Sequence, residues 1–175
     1  MERTFAMIKP DAVSRCLIGE IISRFERSGL HIEALNMIRA TPEIVSSLYP
    51  DREEWLRSVG GKMSRTYEKY GKDIVADMGT SDTLELGKKV RQWLVDYTTM
   101  GPIVIMILSG NHAVDVVRKI IGDTNPVFAN PGTIRGDFSV DSADYANSSG
   151  RAIYNLVHAS GSNQEAEEEI KLWFG

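Results

Sequence analysis

The chain has 175 residues, 42% of them hydrophobic and 25% charged, with a formal net charge of −4. That is enough for one globular domain with an ample core, and it lacks the whole-molecule basic field that would suggest nucleic acid as a partner. The single cysteine, Cys16, forbids an intrachain disulfide and suits a reducing compartment; no apolar run approaches membrane-spanning length and Met1-Glu2-Arg3-Thr4 lacks the regions of a signal peptide, so the reading is a soluble, cytoplasmic protein without a membrane role.

In chain order, Arg3 to Ile8 is a short apolar run stopped by Lys9-Pro10-Asp11, which predicts a buried strand with Lys9 at its end. Ile18, Ile21, Ile22 and Phe25 recur at the spacing of an amphipathic helix that Ser28-Gly29 ends. Leu30 to Ile38 predicts a second strand with a bulge, because its apolar positions change phase near Leu35. Thr41 is placed to cap a helix opened by Pro42 and Glu43 and finished near Tyr49-Pro50. Residues 51–79 hold two helical pieces, Glu53 to Val59 and Met63 to Tyr70, which glycines at 60, 61, 71 and 79 are expected to break up; the region reads as an insertion or lid. Ser81-Asp82 introduces a longer helix through Tyr97, ended by Gly101-Pro102, and Ile103 to Leu108 is apolar at every position, as in a central strand. Asn111 is the expected cap of a helix whose stripe is Ala113, Val114, Val117, Ile120 and Ile121, with Arg118 off the stripe. Asn155 to His158 reads as a last short strand, and Ser162-Asn163-Gln164-Glu165 as a capping box opening an acidic helix. This order fits an α+β ferredoxin-like sandwich: a four-stranded antiparallel sheet with helices collected on one face.

Between the last two strands lies Gly122 to Phe138, GDTNPVFANPGTIRGDF, too rich in proline and glycine for a helix or strand interior. Loops of this length in compact domains are usually functional. Arg118 just before it, and Thr124, Thr133 and Arg135 within it, supply guanidinium forks and hydroxyls that suit a polyphosphate. The alternative is a solvated loop whose arginines pair with Asp123 and Asp137.

Of three histidines, His31 opens a strand beside Glu33 and reads as a surface residue, and His112 follows a helix cap and reads as structural. His158 ends a strand before the small residues Ala159-Ser160-Gly161, with Glu169 returning one helix later, and is the candidate nucleophile. Competing chemistry finds no support: there is no G-x-x-x-x-G-K-S/T loop, no G-x-G-x-x-G after a strand, and too few scattered histidines and cysteines for a zinc site. Cys16 shows no sign of an activated thiol and reads as a packing residue.

The segments TFAMIKPDAV (Thr4 to Val13), TNPVFANPGTIRGDF (Thr124 to Phe138), NLVHASGS (Asn155 to Ser162) and EEEIKLWF (Glu167 to Phe174) resemble the signatures of nucleoside diphosphate kinases, in the same order along the whole chain. The resemblance implies a ferredoxin-like fold, assembly into hexamers or sometimes tetramers, and phosphoryl transfer from a nucleoside triphosphate such as ATP to a nucleoside diphosphate, maintaining triphosphate pools. It implies a ping-pong route through phosphohistidine, with Mg2+ carried by the nucleotide phosphates and no metal ligand on the protein. Carried over, the nucleophile falls on His158, with Glu169 bonding the ring nitrogen that does not attack and Ser160 supporting that carboxylate. Lys9 and Asn155 hold ribose hydroxyl and phosphate oxygens, Tyr49 stands beside the histidine, and Arg118, Thr124 and Arg135 clamp phosphate.

Two departures accompany the resemblance. The chain is longer than compact members within 51–80 and 139–153, as in an archaeal type, which reads as two insertions in a single domain spanning 1–175. Where the family stacks an aromatic ring on the base, counting back from Gly101-Pro102 gives Val90, with Leu94 next and Trp55 as a substitute from the insertion. A non-catalytic nucleotide-binding member of the same family is the alternative; it should have lost His158, an arginine or Lys9 first, and all are present.

Overall fold

The layering of the molecule follows from alternation along the first strand. In the computed structural model, which describes residues 1–175, β1 (Glu2–Ile8) turns Phe5 and Met7 to one face of a sheet and Ala6 and Ile8 to the other, and all four are fully buried. A strand with no solvent face needs covering on both sides. After α1 (Pro10–Ser14) and α2 (Ile18–Arg27) comes β2 (His31–Ile38), then α3 (Pro42–Leu48), α4 (Glu53–Lys69), α5 (Ile74–Met78) and α6 (Thr83–Thr99). β3 (Ile103–Gly110), α7 (Ala113–Ile121), a single 3-10 turn (Pro126–Phe128), α8 (Ile134–Phe138), α9 (Ala143–Ser148), β4 (Val157–Ala159) and α10 (Asn163–Phe174) complete the chain. The sheet is antiparallel throughout, in the order β2-β3-β1-β4. The expected α+β sandwich is therefore present, with the fully apolar β3 central, but its helices are not gathered on one face. Ile21, Phe25, Val117 and Ile121 of α2 and α7 pack on Ala6, Ile8, Val104 and Met106, while Val45, Val95 and Trp173 of α3, α6 and α10 cover Phe5, Met7 and Ile105. The bulge in β2 falls between Ile32 and Ala34, two residues before the expected place.

Caps differ from expectation where a more distant partner is better placed. Asn111 does not cap α7. His112 takes the left-handed N-cap position at φ 50, and the Glu2 carboxylate, from the start of β1, accepts from Val114 N–H at 2.8 Å. The Thr41 side chain makes no cap bond, whereas Asp82 accepts from Leu84 and Glu85 N–H as predicted for α6. In the capping box of α10, Ser162 accepts from Glu165 N–H, but Glu165 reaches back to Gly161 N–H instead of Ser162. Cys16 is exposed at φ 58 and packs in no core.

Residues 53–69 form one continuous helix, contrary to the two pieces expected from Gly60-Gly61. Gly60 is there for contact: a Cβ on it would stand 1.9 Å from the Thr83 carbonyl oxygen, and one on Gly87 would stand 2.0 Å from Leu56 O. The two glycines let α4 and α6 cross backbone to backbone, and Met63, Tyr67 and Leu86 fill a small third core beside them. This contact outweighs the intrinsic cost of glycine in a helix, roughly 0.5–1 kcal/mol each. Gly60→Ala should lower the unfolding free energy by about 2–4 kcal/mol in urea titrations, at or above the usual overpacking penalty. Gly61→Ala, whose Cβ meets only the flexible Arg65 head at 3.5 Å, should be neutral or stabilising by up to about 1 kcal/mol.

Candidate active site

The site is built on a kink just before β4. Leu156 sits at φ 68, a left-handed conformation that costs a branched L-residue of order 1–3 kcal/mol. Several buried groups hold it there. Leu156 N–H donates to Asp11 Oδ2 at 3.3 Å, the Tyr97 hydroxyl donates to Asp11 Oδ1 at 2.7 Å, and Leu156 O accepts from Lys9 N–H at 2.8 Å. Burial, then the neighbouring Asp11 charge, raises the Tyr97 phenol well above its ordinary value, so it stays a donor. Arg135, on α8 behind an N-cap formed by Thr133, donates to Asn155 O at 3.0 Å, Gly122 O at 2.9 Å and Val157 O at 2.6 Å. The last three residues of this segment, 157–159, are all that pairs as strand, so His158 lies in the middle of β4 and not at its end.

Past the kink, His158 Nε2 meets Glu169 Oε1 at 2.7 Å, and Ser160 Oγ donates to Glu169 Oε2 at 2.6 Å. A carboxylate that accepts from Nε2–H fixes the tautomer and leaves Nδ1 with its lone pair, and Nδ1 has no partner in the chain. The Glu169 side chain is only 7% exposed. Its neighbours behave differently, since Glu167 and Glu168 are exposed.

His158 opens into a cleft of about 320 Å³ that brings together Lys9, Tyr49, Leu94, Arg118, Thr124, Arg135 and Asn155. Asn155 is held from both sides, its Oδ1 accepting from Lys9 Nζ at 2.8 Å and its Nδ2 donating to Thr124 O at 2.9 Å. Burial, with Arg135 adding to it, pushes the Lys9 ammonium down to about 7. Burial likewise lowers Arg135 to about 10, so its guanidinium remains charged at neutral pH. Tyr49 is buried, and that burial raises its phenol to about 12; its hydroxyl has no hydrogen-bond partner within the chain. Arg91 fixes the Tyr49 main chain through Nε to Tyr49 O at 2.9 Å.

The solvated-loop alternative is answered residue by residue. Asp137 pairs with Arg24 at 2.7 Å and Asp123 accepts from Asn125 N–H, so neither neutralises Arg118, whose guanidinium is exposed with no ion pair. Thr133, by contrast, spends its hydroxyl on Asn130 O and the Gly136 N–H. A second, apolar cleft adjoins the first and shares Lys9, Leu94, Thr124 and Asn155 with it; Val90, Trp93, Met63, Val59, Ala152 and Ile153 line its walls. Trp55 is elsewhere, tilted against Tyr49 with ring centroids 6.3 Å apart and lining a different hollow. Sequence reading did not single out Asp11 and Tyr97, which hold the kink, or Trp93 and Asn147, which line the apolar cleft. Asp11 alone carried a signal, as a carboxylate directly after the strand-ending Lys9-Pro10.

A family model described as nucleoside diphosphate kinase matches residues 2–57 and 84–175. The chain belongs to the nucleoside diphosphate kinase family. It is 54% identical to the nucleoside diphosphate kinase of Pyrobaculum aerophilum over 99% of this chain and 95% of that one. Identity to the Pyrococcus furiosus kinase is 40%, over 99% and 83%. The crystal structure of an NDP kinase from Pyrobaculum aerophilum superposes with a TM-score of 0.96, 99% of this chain and 96% of that chain being covered at 52% identity. A nucleoside-diphosphate kinase from Borrelia burgdorferi, a transition state mimic with bound vanadate and ADP, gives 0.76 at 34% identity, covering 99% and 87%.

The two arginines of this site differ in what else they do. Arg135→Ala strands three main-chain carbonyls, two of them at the strained kink, and should cost about 2–5 kcal/mol of stability by urea unfolding, on the scale of breaking a buried charged network. Arg118→Ala, at an exposed position without partners, should stay within about 0.5 kcal/mol of the parent.

Proposed function

We propose that the chain is a nucleoside diphosphate kinase that passes the terminal phosphate of a nucleoside triphosphate such as ATP to a nucleoside diphosphate through Nδ1 of His158. The observation that carries this is the orientation of that ring, gripped at Nε2 by a buried carboxylate with Nδ1 unpartnered at a cleft bearing Lys9, Arg118 and Arg135. In the first half-reaction the Nδ1 lone pair attacks the terminal phosphorus, the bond to the bridging oxygen breaks, and the diphosphate leaves with that electron pair. No proton leaves Nδ1, and the positive charge the ring gains is offset by Glu169, which keeps its hydrogen bond from Nε2–H while Ser160 holds the other oxygen. The second half-reaction reverses these bonds onto a new diphosphate. Arg118 and the unused N–H groups of Arg135 stabilise charge spreading over the transferred group, and the Thr124 hydroxyl adds a donor. Tyr49 closes the cleft beside the ring with its free hydroxyl. Lys9 and Asn155 stand where ribose hydroxyl and phosphate oxygens pass, and the base then lies in the adjoining apolar cleft between Val90 and Leu94 on one wall and Ile153 on the other, with Trp93 as its aromatic surface.

No group of three or more His, Cys, Asp or Glu residues is arranged to hold a metal. Asp123 is the one carboxylate lining the phosphate cleft. That donor set fits Mg2+ brought in on the nucleotide, where it would neutralise phosphate charge. No helix is long and apolar enough to cross a membrane, in keeping with a cytoplasmic enzyme. A homo-oligomer is supported by β2, an edge strand with Leu35 42% and Met37 56% exposed, a combination that invites a second copy; the preference for a hexamer over a tetramer comes from the family resemblance. Segments 51–80 and 139–153 are read as insertions into a single domain; the gap in the family match from 58 to 83 supports the first.

Labelled ATP with magnesium should leave an acid-labile, alkali-stable phosphate on the protein, and His158→Ala should leave none; label that persists in the variant would end the assignment, and no label in the parent would favour a non-catalytic nucleotide-binding member. In stopped-flow measurements Glu169→Gln should slow phosphoenzyme formation about tenfold to a hundredfold, equivalent to the roughly 1.5–3 kcal/mol of a hydrogen bond to a charged group. Glu168→Gln should leave the rate unchanged.

Lys9 makes nucleotide binding take up protons. Free, it is charged below about 7 and neutral above; nucleotide phosphates beside it raise that value. Binding should therefore absorb close to one proton near pH 8 and almost none near pH 6, where Lys9 is already charged. Calorimetry in buffers of different ionisation enthalpy reads this directly, and the difference between the parent and Lys9→Gln isolates it from the nucleotide's own titration.

A further inference from the structure

The apolar cleft holds three polar side chains that the mechanism does not use, Lys62, Thr66 and Asn147. Asn147, on α9, lines its wall among Ala143, Ala152 and Ile153 and is only 8% exposed, yet its carboxamide makes no hydrogen bond within the chain. Its amide atoms are not sealed off from the cleft, so a ligand there can meet them. The other polar side chains at this end do not compete for the role. The Thr66 hydroxyl donates to Lys62 O at 3.0 Å, and Lys62 itself is an exposed, flexible ammonium.

We infer that Asn147 is a ligand of the nucleotide base, binding its polar edge while leaving the choice among bases open. The inference rests on the kinase reading, which puts a base in this cleft. An amide presents one donor and one acceptor side by side, and turning it over exchanges them. Adenine and cytosine offer an amino group beside a ring nitrogen, guanine and uracil a ring N–H beside a carbonyl oxygen. Because no hydrogen bond fixes the Asn147 amide, it can meet either pattern bidentately. One residue thus gains affinity for a base without selecting which, as an enzyme serving all nucleotides needs. A carboxylate at the same place would lose that symmetry: it offers two acceptors, and guanine alone has two adjacent donors, N1–H and the 2-amino group.

The test is acceptor kinetics on the full chain with ATP as donor, comparing ADP, GDP, CDP and UDP. The parent should treat the four within about fivefold, the scale of roughly 1 kcal/mol. Asn147→Leu should lower kcat/KM for all four by about fivefold to 150-fold, the equivalent of losing one bidentate base contact. It should leave His158 labelling by ribose 5-triphosphate, which has no base, unchanged. Asn147→Asp should raise the GDP to ADP ratio at least about tenfold. An unchanged ratio in that variant, or loss of ribose triphosphate activity along with the rest in Asn147→Leu, would overturn the inference. The parent alone provides a control against misfolded variants: purine riboside 5′-diphosphate, which lacks the 6-amino group, should show a KM at least about fivefold above that of ADP, and equal values would also overturn it. Absence of any label on His158 in the parent would instead refute the kinase reading, and the inference with it.

Discussion

The structure depends on a backbone that is held where it does not relax. Leu156 is left-handed, the carbonyls on either side of it point into the protein, and buried carbonyls must be satisfied. Arg135 satisfies the two flanking carbonyls, Asn155 O and Val157 O, while the Lys9 N–H satisfies Leu156 O and Asp11 accepts from the Leu156 N–H. These groups come from α8, from α1 and from the end of β1, so the kink exists only when the two halves of the fold have met. The reward is placement: one residue after the kinked segment returns to strand geometry, His158 stands beside β1 at the floor of the cleft, paired with Met7.

The same economy governs charge. Arg135 and Lys9 are both buried and both driven toward their neutral forms, which makes the empty cleft an unfavourable place for cations. Anionic phosphate relieves that strain. Arg118 stands apart as the exposed, unburdened cation at the rim. A site that needs positive charge only when occupied is therefore built from groups that differ in how firmly they hold their protons.

Much of this was legible in the chain. The strands were read from their apolar runs, the helix starts from residues such as Asp82 and Ser162, and His158, Glu169, Lys9 and the arginines from chemistry and family resemblance. What failed did so because the deciding contact was distant. Gly60 read as a helix breaker because Gly87, against whose helix it packs, lies far along the chain. Asn111 read as a cap because nothing local reveals that Glu2 arrives to cap α7. Arg135 read as a phosphate ligand alone because its carbonyl partners, on Gly122, Asn155 and Val157, appear only on folding. Trp55 was offered as a ring for the base and Trp93 overlooked, because sequence does not show which face of a helix borders a cleft that two separate segments enclose.

That enclosure separates two kinds of inheritance. The phosphate-gripping residues are anchored to β1, β4 and the helices next to them, where a change disturbs the core. The walls of the apolar cleft belong to α4, α6 and the 139–153 segment, and segments 51–80 and 139–153 are tied together at the surface by Lys72, which reaches Asp144 at 3.2 Å and Ser148 at 3.2 Å. A lineage can lengthen, shorten or redecorate these walls without touching the reacting centre. What the chain does to phosphate is thus tied to the physics of its core, while how closely it embraces the rest of the nucleotide is set by walls outside that core.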